Sequence, residues 1–70
     1  LRRIALARID AVLQSPGQVV PGYYGRNVYQ SKYTNARGTE MLLRVVVDES
    51  VDPVLVVSVY QTDKVNKYWR

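Results

Sequence analysis

Two stretches late in the chain, EMLLRVVVD (40–48) and VLVVSVYQT (54–62), are dense in β-branched residues and stand on either side of ESVDP (49–53). Such runs favour extended backbone, and the Asp and Pro between them suit a tight connection, so the pair reads as neighbouring antiparallel strands. Strand parity then sorts the side chains, since successive residues point to opposite faces. In the first stretch Leu43, Val45 and Val47 share one face and Leu42, Arg44 and Val46 the other. In the second, Leu55, Val57 and Val59 form a wholly apolar row that leaves Val54, Val56, Ser58, Tyr60 and Thr62 opposite. A slip of one residue would bury Arg44 and Ser58, so the apolar rows are expected beneath a covering layer, with Arg44, Ser58, Tyr60 and Thr62 on an open face. If the backbone stays extended for two more residues, Lys64 joins them.

The covering layer is LRRIALARIDAVLQSPG (1–17). Leu1, Ala5, Ile9 and Val12 recur at helical steps, Leu6 and Leu13 widen that face, and Arg2, Arg3, Arg8 and Asp10 fill much of the rest. The expectation is one helix of about four turns, stopped by Ser15, Pro16 and Gly17. Next come a short extended piece, QVV, ended by Pro21 and Gly22, and an alternating strand, RNVYQSKY, bounded by Gly25 and the turn TNARGT. Tyr23 and Tyr24, between glycine-containing turns, are expected to pack. The predicted architecture is α+β: an N-terminal helix on one face of a three- to four-stranded antiparallel meander whose other face is wet.

Seventy residues fill one core, so residues 1–70 form a single domain, and a core of this size rarely supplies more than ~3–5 kcal/mol. Without cysteine there is no disulfide, and without histidine a zinc site would need carboxylates alone. Asp48, Glu49 and Asp52 crowd one turn without the spacing of a calcium loop, so no metal or cofactor is expected. A partner chain is the remaining support, and the unpaired edge of a short sheet makes a homodimer one form of it. The chain opens on Leu1 in mid-pattern, and residues before it are expected to be missing. No apolar run is long enough to span a membrane and no signal-peptide pattern opens the chain, so a cytoplasmic protein is expected.

Ten Lys and Arg against six Asp and Glu give a net charge of +4, concentrated at the two ends of the chain. That balance favours an anionic partner. A basic, hydroxyl-rich sheet face edged by aromatics suits single-stranded RNA. Arg44 can fork onto a phosphate, Lys64 supplies a point charge, and Tyr60 or Tyr68 can stack on a base, with Ser58, Lys67, Arg70 and Arg37 as further RNA contacts. Cleavage would also need a proton acceptor at the ribose 2′ oxygen, donors for the phosphorane and an acid for the leaving oxygen. A Lys or Tyr beside cations could do this without metal. Each residue has a structural role open to it as well. Arg44 can pair with an acid across the sheet, Tyr60 can half-bury its ring, Lys64 and Lys67 can belong to a solvated tail, and Trp69 can anchor that tail on the helix.

The run LLRVVVDES with LVVSVYQTDKVNKYWR, together with the upstream VLQSPGQVVPGYYGRNVYQ, resembles small phage and bacterial nuclease-like domains of the RelE, barnase, EndoU and colicin superfamily. The similarity spans about residues 9 to 70 and is most specific at the ending. It implies a helix packed on an antiparallel sheet, metal-independent endoribonuclease activity, and a toxin role countered by an antitoxin partner. By that resemblance Arg44, Tyr60, Thr62, Lys64 and Tyr68 would be the catalytic residues. Ser58 stands where the group more often has Thr, and the His-containing segment that usually precedes the first helix has no counterpart here. Two functions stay open: this ribonuclease, or a non-catalytic basic module that docks nucleic acid or a protein.

Overall fold

The computed structural model describes residues 4–70. The segment Asn27–Thr34 (β2), whose side chains alternate between faces, pairs antiparallel with Glu40–Asp48 (β3), and β3 pairs antiparallel with Leu55–Thr62 (β4). The short strand Gln18–Pro21 (β1) adds to the far side of β2, giving one four-stranded sheet in the order β1-β2-β3-β4. Turn chemistry fixes the hairpins. Asn35 Oδ1 accepts the amides of Arg37 and Thr39, each at 3.0 Å, while Gly38 takes φ 80°. After β3, Asp48 Oδ1 accepts the Ser50 amide at 2.9 Å and its hydroxyl at 2.6 Å. Short polar side chains that bond backbone two residues on set such turns.

The first helix, Leu6–Gln14 (α1), is shorter than its sequence pattern suggests. Ala5 is extended at φ −64°, ψ 135°, so the helix starts one residue later, and Leu1, Arg2 and Arg3 lie outside the described residues. Its end is as expected: the Ser15 amide bonds the Ala11 carbonyl, and Pro16 has no amide to offer. Val12 is the buried residue of α1 and clusters with Leu43, Val45 and Val47, joined by Ile4, Ile9, Leu13, Tyr29, Tyr33 and Val59. Leu6 and Ala5 are exposed, so the apolar stripe is narrower than the spacing implied.

Two further expectations are corrected. Val46 pairs with Ser58 but Val47 pairs with Val56, so Val57 is an extra residue in a β-bulge. A bulge shifts parity by one. Val59 therefore stays on the helix side, whereas Val57 and Leu55, predicted beside it, leave that row, and Val56 takes the position opposite Val47. Nor is the second face simply wet. A short helix, Val65–Tyr68 (α2), packs against β3, and on that face Leu42 and Gln30 are fully buried. Among the described residues no helix is long and apolar enough to cross a membrane.

Candidate nucleic-acid interface

Register places one polar residue from each strand in a row across the sheet: Gln18 opposite Gln30, Gln30 opposite Arg44, Arg44 opposite Tyr60. Facing partners lie close enough for side chains to bond. Arg44 Nε donates to Gln30 Oε1 at 2.9 Å, Arg44 Nη1 donates to the Tyr60 hydroxyl, and Gln30 Nε2 donates to Gln18 Oε1 at 3.0 Å. The same row captures the tail. Gln30 Nε2 also reaches the Tyr68 carbonyl at 3.1 Å, and Gln18 accepts the Arg70 amide at 3.0 Å while its own amide donates to the Arg70 carbonyl. These bonds draw the segment after α2 over the sheet and set the Tyr68 ring 4.1 Å from the Arg44 guanidinium carbon.

Arg44 is thereby 8% exposed, and its hydrogen-bond partners among the described residues, Gln30 and Tyr60, are both neutral. Its Nε and Nη1 have acceptors, but no carboxylate among those partners offsets its charge. It lines a groove of about 570 Å³, within the roughly 300–1,000 Å³ span of small-ligand sites. Arg26, Arg70, Tyr23, Tyr24, Tyr60, Tyr68 and Ser58 share the wall with apolar Val28, Val46 and Val57, and no acidic residue among the described residues lines it. Asp48 flanks the groove without lining it. Hydrogen bonds from the Ser50 hydroxyl and amide hold its carboxyl below the usual range, helped by the charge of Arg26.

The hairpin between β1 and β2 supplies the aromatic rim. Gly22 N–H bonds the Arg26 carbonyl at 2.7 Å, and Tyr24 turns through φ 59°, a left-handed conformation uncommon for a residue with a Cβ. Tyr23 and Tyr24 are 87% and 91% exposed, so they do not pack as the sequence suggested; they stand at the mouth of the groove. The Arg26 guanidinium lies 5.9 Å from the Tyr24 ring centroid.

Of the residues singled out from the sequence, Arg44, Tyr60, Tyr68, Ser58 and Arg70 come together on this groove. Thr62, Lys64, Lys67 and Arg37 do not line it. β4 ends at Thr62, whose Oγ1 accepts the Lys64 amide at 3.1 Å, and the chain then turns into α2, which leaves Lys64 exposed outside the groove wall. Lys67 is exposed beside the Tyr68 ring, and Arg37 lines a separate cavity with Asn35 and Asp63. Trp69 anchors the tail on the turn after α1 and on β2: Lys32 Nζ is 4.3 Å from its ring centroid, and a Cβ at Gly17 would meet its Cη2 at 2.9 Å. Sequence reasoning missed Arg26, Gln30 and Gln18. The alternation that placed Arg44 outward also places Gln30 there, but only the pairing register joins them.

A separate titrating cluster lies on the helix side. Glu49 accepts the Tyr29 hydroxyl and, at 2.5 Å, the Asn27 amide; these bonds lower the carboxyl's pKa, and the same Glu49 contact raises that of Tyr29. Among the described residues no cluster of acids is arranged to hold a metal. No family model, curated protein sequence or solved structure matches this chain.

Proposed function

We propose that the groove binds a short stretch of single-stranded RNA, a phosphate resting on Arg44 and a base against the tyrosines of the rim. One observation carries this reading: a buried guanidinium whose hydrogen-bond partners among the described residues are neutral, in a groove whose described wall holds two more arginines and no acid. A charge withdrawn from water without a counterion is costly, and an arriving phosphate offsets that cost with charge-assisted bonds. Exposed tyrosines accept any base on their faces, and hydroxyls from Ser58 and Tyr60 are within the same wall for sugar oxygens.

The metal-independent ribonuclease of a toxin–antitoxin pair, with a barnase-like fold, is the second reading. It draws support from a helix laid on an antiparallel sheet and from Arg44 meeting both the Tyr60 hydroxyl and the Tyr68 ring. Its proton acceptor would have to come from Tyr60 or Tyr68, since Lys64 does not line the groove. Fluorescence anisotropy with labelled single-stranded RNA, its DNA counterpart and an RNA duplex, in EDTA, tests both. Binding of the single strand that falls at least ten-fold in Arg44→Gln and is unchanged in Lys64→Ala is expected. Equal affinity for the duplex, or indifference to Arg44→Gln, refutes the proposed site. A 2′,3′-cyclic phosphate product that vanishes in Tyr60→Phe selects the enzyme.

A further inference from the structure

The two edges of the sheet are treated differently. β1 has four residues, ends in Pro21, and its Gln18 is bonded to the tail, so that edge is short and blunted. β4 has eight residues, pairs with β3 alone among the described residues, and carries no Lys, Arg, Asp, Glu or Pro. Its first three residues are apolar and partly exposed: Leu55 is 57% exposed, and Val56, Val57 and the preceding Val54 also reach solvent. Proteins that stay monomeric guard such an edge with a charge, a proline, a bulge or a covering segment; the bulge of β4 is confined to Val57, and Ser58 to Thr62 keep a regular register with β3. Here α2 and the tail leave the end of β4 and run across the sheet toward Gln18 and Gly17, away from the edge.

We infer that β4 is the dimer interface, pairing antiparallel with β4 of a second copy to make a continuous eight-stranded sheet. The strand's own chemistry selects this occupant. Antiparallel self-pairing sets like residues near one another across a two-fold axis, where a charged strand repels itself and an uncharged one does not. An acidic partner gains nothing along β4, because the arginines line the groove instead. The axis relating antiparallel neighbours is perpendicular to the sheet, so both Arg44 grooves open on the same side of the dimer. Pairing also buries apolar surface that a 70-residue core lacks.

Sedimentation equilibrium of the RNA-free chain tests this independently of the groove. The 8.0 kDa chain is expected at twice that mass. Leu55→Lys, which lies outside the groove, should raise the dimer dissociation constant at least ten-fold while circular dichroism stays that of a folded protein. Because any one variant can unfold, amide exchange of the unmodified protein is the second measurement: β4 amides should gain protection as concentration rises through the dimer transition. A folded monomer at about millimolar concentration, a dimer indifferent to Leu55→Lys with unprotected β4 amides, or an acidic protein in place of the second copy overturns the inference.

Discussion

Glu49 illustrates how one side chain ties the turn after β3 to β2. Its two oxygens accept from the Tyr29 hydroxyl and the Asn27 amide, residues that face Val45 and Val47 across the ladder. The bonds favour the carboxylate, so the folded pKa of Glu49 lies below the unfolded value of about 4.3. Its contribution to stability is therefore present above that value and is lost as pH falls through the lowered one. Tyr29 titrates the other way: its pKa is raised above about 10, so its share is complete below that and disappears as pH climbs through the raised value. The pair thus stabilises across a plateau bounded by acid and alkali. Asp48, also lowered, adds to the acid limb only. Glu49→Gln should lower the melting temperature slightly near neutrality, because the site is solvent-exposed, and the gap from the unsubstituted protein should close as pH falls below the ordinary carboxylate value of about 4.3. Thermal melts across that range check it, and a constant gap would mean that the carboxylate is not the bonded form.

Elements differ in how openly the sequence announces them. β3 was legible, parity included, because Leu43, Val45 and Val47 and their outward neighbours alternate without interruption. β4 was legible as a strand, but its faces were not: four consecutive apolar residues from Val54 to Val57 give no period, and a bulge inside such a run leaves no mark. The return of the tail was hidden too, since bonds from Gln18 and Gln30 to the carbonyls of Arg70 and Tyr68 depend on residues far apart in sequence. Gly17 does carry a readable trace. Read as a helix stop, it also provides the flat backbone on which Trp69 lies, with the Gln30 carbonyl 3.2 Å from any Cβ placed there. Gly17→Ala therefore presses a methyl into the indole and that carbonyl. Overpacking of this kind costs typically ~1–3 kcal/mol. The expected result is a drop in melting temperature with a red shift of the single tryptophan's fluorescence, while α1 keeps its helical signal. Unchanged emission would mean that the tail does not rest on this turn.

At the scale of the whole molecule the net charge of +4 is less informative than its placement. Arg26, Arg44 and Arg70 converge on one groove, whereas Lys64, Lys67 and Arg37, equally basic, do not line it. A protein attracting RNA through its overall charge would lose affinity with salt in proportion to all its surface cations. A built groove loses it in proportion to the phosphates it seats. Each phosphate contact to a single strand contributes about −0.7 to the slope of log affinity against log salt. Three arginines predict a slope of about −2 by that rule. Arg26→Gln should bring the slope closer to zero by about 0.7, whereas the double change Lys64→Gln with Lys67→Gln should leave it where it is. Titrations of labelled single-stranded RNA at about 50 to 300 mM salt measure both. A slope that responds equally to the two sets of substitutions would place binding on the diffuse charge of the surface and remove the groove's claim to it.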